Sequence, residues 1–247
     1  MKLSKRSYSP GANLWGRITK QPSAALSGIL KSRKLQPSQL LEVYRTLRQK
    51  QGHRHWWPGE TPFEVIIGSI LTQNTAWTNV EKAIHNLKSA KQLSPYKMRA
   101  IPIGKLAQLI RPAGYFNIKA DRIKCFIRFL FKQYQGSLTR MFRERGEGLR
   151  EKLLSVKGIG PETADSILLY AGQKKFFVID AYTKRIFARH RLLPFESDYA
   201  AWQALFTQSL PKKTWLYNDF HAQIVYIGKH FCRTAPLCDI CPLKGYL

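Results

Sequence analysis

The stretch VKGIGPETADSILLYAGQKKFFVIDAYTKR, residues 156–185, concentrates the groups most able to do chemistry. Asp180 ends an apolar run, Phe176-Phe177-Val178-Ile179, and is followed closely by Lys184 and Arg185. A carboxylate in such low-dielectric company interacts strongly with positive charge developing beside it, and it can also activate water. Asp is equally a good N-cap for a helix starting at Ala181, and cap and catalyst are compatible roles. Upstream, Gly158 and Gly160 flank Ile159 and precede Pro161, the pattern of helix, tight turn, helix. Glycines there permit positive φ and leave backbone N–H groups uncovered, while the second helix turns its positive end toward the bend. Such a hairpin, with Lys157 beside it, can grip a phosphate without reading a base. A plain corner between two helices would carry the same glycines.

The elements that must hold these groups read as helices almost throughout. Apolar residues recur at spacings of three and four in 40–51, 62–73, 78–90, 119–134, 147–156, 161–171, 180–190 and 219–232. Turn formers separate them, as in HRHWWPGE, RPAGYFN and KGIGP. No alternating β pattern exceeds Phe176–Ile179, so an all-α protein is expected.

Composition narrows the partner. The chain has 247 residues with 41 Lys and Arg against 15 Asp and Glu, a net charge of +26. Charge of that size predicts a polyanionic partner, nucleic acid first and an anionic membrane surface second. The longest apolar run, Val65–Leu71, is far short of the ~20 residues a span requires. No secretory h-region opens the chain. Residues 1–41 hold no acid and eight basic residues, which predicts a disordered basic tail over 1–37. That tail adds DNA affinity through counterion release or serves in organelle targeting. Three of four cysteines fall in the last sixteen residues, as Cys232-x5-Cys238-x2-Cys241, which suggests a metal site in a reducing compartment, the cytoplasm by default. Cys125 lies mid-helix and is expected in the core.

Taken together, VKGIGPETADSIL…FFVIDAYTKRI, TPFEVIIGSILTQNT (61–75), GYFNIKADRI (114–123) and the cysteine tail resemble the endonuclease III, or helix-hairpin-helix-GPD, superfamily of DNA glycosylases. The resemblance covers about residues 38–247. It implies a two-lobed all-α fold with a C-terminal cysteine loop. One lobe would be a helical bundle, 61–180, containing the hairpin at 151–172; the other would join 38–60 to 181–247. It implies that Asp180 is the catalytic carboxylate in cleavage of an N-glycosidic bond, and that Lys157, Gly158, Ile159 and Gly160 contact the DNA backbone. Gln73 would fill the stack vacated by the flipped base, with Asn74 beside it. Tyr115, Phe116 and Lys119 belong to a basic aromatic loop, 111–122, that would reach the opposite strand.

Departures from the family pattern narrow the activity. Members that also cut the strand carry a lysine where this chain has Glu162, because an amine is needed for the Schiff base. Lys157 and Lys184 do not match that position. A monofunctional glycosylase is therefore expected. Ser69 stands where the adenine-specific branch has a glutamate, and the thymine-mismatch branch has tyrosine at the Glu162 position. Trp56-Trp57-Pro58, with Glu162, resembles the endonuclease III-like 3-methyladenine glycosylases. An aromatic pocket suits a cationic alkylpurine through cation–π attraction, although paired tryptophans also make core. The family's [4Fe–4S] loop uses four cysteines, and the fourth position here is Leu247. A cluster with a substitute ligand, zinc held as Cys₃His through His230, and an empty site stay open. The expected partner is double-stranded DNA containing a damaged base, bound by a monomer with no membrane association and, in a bacterium, associated with the nucleoid. Alternatives are a bifunctional glycosylase/lyase for oxidised pyrimidines, a uracil or hypoxanthine glycosylase, and a DNA-structure binder without activity.

Overall fold

The computed structural model describes residues 35–54 and 59–246, and among them there is no β-strand. Twelve α-helices follow in order: α1 Leu40–Gln51, α2 Pro62–Leu71, α3 Trp77–Ser89, α4 Pro95–Ala100, α5 Ile103–Leu109, α6 Phe116–Tyr134, α7 Leu138–Arg143, α8 Gly146–Leu154, α9 Pro161–Ser166, α10 Ala181–Arg189, α11 Tyr199–Ser209 and α12 Thr214–His230. The expected all-α fold is present. Side-chain caps start several helices where the sequence places Ser, Thr or Asp: Thr61 for α2, Ser94 for α4, Asp180 for α10 and Asp198 for α11.

The helices pack as two lobes. In the first, α2 and α6 form the centre, with α3, α4, α5, α7 and the α8–α9 hairpin around them. In the second, α1 from the beginning of the chain lies against α11 and α12 from its end, and α10 packs along α12. Asp219 of α12 joins them: it accepts hydrogen bonds from Tyr44 Oη at 2.9 Å and Arg48 Nη1 at 2.8 Å, both on α1. An aromatic cluster of Phe177, Phe187, Phe206 and Phe220 fills the interior, with the Phe177 and Phe206 rings stacked at 4.4 Å. Such rings contribute through buried area and through offset or edge-on geometry.

The last three residues of the span expected as a basic tail, 35–37, are described in the structure. Leu35 is buried and its N–H bonds His190 O at 3.2 Å, so residues 35–37 belong to the fold. A leucine followed by Gln-Pro has no period to announce its burial; tertiary packing decides it. Residues 1–34 lie outside the described residues. Among the described residues no helix is long and apolar enough to cross a membrane.

Candidate active site

Asp180 sits where the two lobes meet. Phe177, Val178 and Ile179 before it are all buried, and α10 begins directly after it. Its Oδ1 accepts from Thr183 N at 2.7 Å and from Thr183 Oγ1 at 2.8 Å, the expected cap. Its Oδ2 lies 3.6 Å from Nε2 of the buried His221 on α12. Burial by itself would raise the carboxyl pKa, but His221 and the two Thr183 donors outweigh it and hold Asp180 below its ordinary value. It is thus an ionised carboxylate, 12% exposed, in an apolar surround.

Glu162, in the first turn of α9, shows the opposite behaviour. It is accessible to water yet closely surrounded by protein, and enclosure followed by the Asp180 charge pushes its carboxyl up to about 7. Two carboxylates whose surroundings drive them apart are the usual mark of a site with divided roles. Lys184 is turned away from the pair, donating to Ser197 O at 2.6 Å.

The hairpin that carries Glu162 is built as the glycines suggest, with one difference. Gly158 has φ +87, and a Cβ there would come within 2.3 Å of Arg122 Cγ, so both conformation and space require glycine. Gly160 has φ −92 and open space where a Cβ would lie. The fold does not need glycine at 160; a close approach from outside the protein would. Ile159 is a correction: its side chain is buried and its N–H bonds Val156 O at 3.0 Å, because the turn uses it as an anchor into the core and not as a contact surface. Lys157 is 80% exposed, 3.1 Å from Asp121.

Gln73 reaches this hairpin. Its Nε2 donates to Gly158 O at 3.0 Å and to Thr163 Oγ1 at 2.8 Å, and Arg122 donates to its Oε1. Asn74 follows it, exposed, with φ +52. Lys119 requires the second correction. It is 1% exposed, and its ammonium donates to Leu71 O, Thr75 Oγ1 and Ala113 O. All three donors are consumed in tying α6 to the end of α2, and burial, then Arg122, lowers its pKa to about 8. It cannot reach a DNA phosphate. Tyr115, expected as a wedge, is 68% exposed with φ +45 just before α6. Ser69 is buried and returns its hydroxyl to Val65 O. Trp56, Trp57 and Pro58 lie outside the described residues.

Several residues that sequence reasoning did not single out hold the site together. Asp165, fully buried on α9, accepts from Arg150 Nε at 2.6 Å and Nη2 at 3.1 Å, and from Gln203 Nε2 at 2.8 Å. Gln203 also donates to Phe177 O, which fastens the Asp180 run to α9 and α11. Tyr170, in a π-turn at Ile167–Ala171, bonds His221 Nδ1. The only sequence signal for these was a polar residue in each apolar helix face, which is weak.

Cys232, Cys238 and Cys241 line one cavity of about 30 Å³, with Arg189 and His190 beside them. Arg189 Nη1 donates to Cys232 Sγ at 3.2 Å and Leu243 N to Cys241 Sγ at 3.4 Å. Burial, then the neighbouring thiols, pushes the Cys241 thiol up. Among the described residues, however, no three His, Cys, Asp or Glu side chains converge as metal ligands. His230 packs on the Tyr226 ring, and position 247 lies outside the described residues. The donors described do not make a four-ligand set. Protein contacts hold the loop: Arg185 and Arg189 donate to carbonyls of Gly228, Cys232, Arg233 and Thr234, and Lys50 to Pro242 O.

Comparison with known proteins places this geometry. The pattern described as HhH-GPD superfamily base excision DNA repair protein matches residues 67–212. A Methanocaldococcus jannaschii protein, provisionally designated a DNA repair glycosylase, is 44% identical over 209 residues, 84% of this chain and 94% of the relative. Endonuclease III of Thermotoga maritima is 28% identical over 186 residues, 75% of this chain and 82% of the relative. Among solved structures, the H. pylori 3-methyladenine DNA glycosylase bound to 1,N6-ethenoadenine superposes with a TM-score of 0.69 at 32% identity, covering 79% of this chain and 98% of that one. A non-covalent endonuclease III–DNA complex superposes at 0.74 with 22% identity, covering 86% and 95%, and shows the same fold.

Proposed function

Because this chain belongs to the HhH-GPD superfamily of base excision DNA repair proteins, we propose that it is a monofunctional DNA glycosylase that hydrolyses the N-glycosidic bond of a flipped alkylated purine such as 3-methyladenine. The observation that carries the reading is the pairing of an ionised Asp180 with Glu162 at the position where strand-cutting members hold lysine. Loss of the base leaves oxocarbenium character on the sugar, and a fixed carboxylate below it lowers the barrier electrostatically. The same carboxylate can orient the attacking water. An alkylated purine cation is already a good leaving group, so the reaction does not demand a strong general acid. Glu162 supplies no amine, so the abasic product leaves hydrolysed and the strand stays whole.

The remaining residues take binding roles in this reading. DNA lies in the groove between a lobe spanning 61–180 and one joining 38–60 to 181–247. Gly158 and Gly160 let a phosphate approach the hairpin, Lys157 adds charge, Gln73 and Asn74 face the vacated stack, and Tyr115 wedges the opposite strand. The indole rings of Trp56 and Trp57 are the groups in this sequence suited to a cationic base through cation–π attraction, with Pro58 next to them in sequence. The H. pylori relative, bound to an etheno-adduct of adenine, supports a modified purine as substrate. The cysteine loop serves as scaffold and brings Lys229, Arg233 and Lys244 toward the duplex. The protein works as a monomer in the cytoplasm.

A lesion panel tests the substrate. Duplexes carrying a stable 3-methyladenine analogue, ethenoadenine, hypoxanthine, uracil or an oxidised pyrimidine are incubated with enzyme, and free base is measured by chromatography. Release of the alkylated purines ahead of the others is expected. Faster release of uracil or an oxidised pyrimidine would replace this substrate assignment, and no release from any duplex, with tight abasic-site binding, would make the protein a binder.

A further inference from the structure

His221 lies between two groups that determine its state. It is 5% exposed on α12; Tyr170 Oη bonds its Nδ1, and its Nε2 is buried without a hydrogen-bond partner, 3.6 Å from Asp180 Oδ2. A neutral imidazole carries its proton on one nitrogen only. Were that proton on Nδ1, Nε2 would present a lone pair to a carboxylate in a dry site, which is repulsive. With Nδ1 engaged by Tyr170, an N–H on Nε2 facing Asp180 is the arrangement that favours the carboxylate. The π-turn at Ile167–Ala171 is what brings Tyr170 to this place, and such turns gather at functional sites. Thr183 meanwhile holds the other carboxylate oxygen, Oδ1, through its N–H and its hydroxyl.

We propose that His221 is a positioning residue for the glycosylase reaction: buried on α12 and held at Nδ1 by Tyr170, it presents Nε2 to Asp180 Oδ2 and keeps the carboxylate aimed into the site. The inference rests on Asp180 being the catalytic carboxylate. The titratable groups facing Asp180 are His221 from α12, Glu162 from α9 and Tyr182 from α10. His221 itself faces Tyr170 and Asp180. Removing its imidazole leaves desolvation opposed only by Thr183, so ionisation of Asp180 moves to higher pH.

The test is the single-turnover rate of base release as a function of pH for the full chain and its variants. His221→Phe is expected to slow release roughly ten-fold and to move the acidic limb up by about one pH unit, a tenfold factor each. His221→Gln, which retains an N–H donor, should recover part of that shift, and Tyr170→Phe should move the limb the same way by less. Should His221→Phe fail to fold by thermal melting, His221→Gln and Tyr170→Phe carry the same comparison. Variants that slow release with an acidic limb unmoved from wild type would overturn the positioning role while an inactive Asp180→Asn still upholds the catalytic aspartate. Full activity in Asp180→Asn would instead remove the reading underneath.

Discussion

Asp180 and Glu162 are both carboxylates in a chain poor in them, and their surroundings push them in opposite directions. The consequence for stability differs in sign. Glu162 holds its proton in the folded state up to about 7, whereas an unfolded glutamate gives it up near ~4.3. The folded state therefore binds more protons across that window, and the Glu162 contribution to stability falls as pH rises through it. Asp180 is lowered, so its contribution is present above the unfolded aspartate pKa and lost only as pH falls below it. Glu162→Gln should accordingly lose less melting temperature than wild type between pH 5 and pH 8; parallel melting curves would contradict this. Asp180 was legible because its apolar neighbours and its helix start adjoin it in sequence. His221 was not, because its meaning depends on Tyr170 and Asp180, each brought to it by a different element. Lys119 was misread for the same reason: a lysine in a basic loop gives no sign that three oxygens wait for it in the interior.

Among the elements, the α8–α9 hairpin makes the most discriminating claim. Gly158→Ala would force a side chain into the left-handed region at about 1–2 kcal/mol and push Arg122 aside, so both melting temperature and DNA affinity should fall. Gly160→Ala meets neither strain nor a neighbour, so it should melt like wild type while binding DNA more weakly. Wild-type DNA affinity in that variant would mean no phosphate comes close. Asp165→Ala strands Arg150 opposite nothing and unfastens Gln203. Breaking a buried pair of this kind costs about 3–5 kcal/mol, readable as a lower denaturant midpoint. The longer helices were legible from their period, and observed bounds differ from expectation by a few residues at most ends. The short ones were not. Helices α4, α5 and α7 have six or seven residues, too few to display a period, and α11 fully buries only Trp202 and Phe206.

At the scale of the whole molecule, charge and topology act together. A net charge of +26 predicts binding dominated by counterion release. Affinity for undamaged duplex should fall by roughly 10³ between about 50 and 200 mM salt, and a flat salt dependence would exclude a backbone-gripping mode. The two-lobed arrangement puts chain beginning and end together through Tyr44, Arg48 and Asp219, a pairing no local pattern announces. The resemblance supplied it instead, through motifs falling in family order. The choice of hydrolysis over lyase chemistry depends on one side chain within that frame. End-labelled duplex with a stable 3-methyladenine analogue, incubated with enzyme and borohydride, tests it most directly. The account predicts base release with no trapped covalent adduct and a strand that breaks only after alkali; a borohydride-trapped adduct, or breaks before alkali, would contradict it.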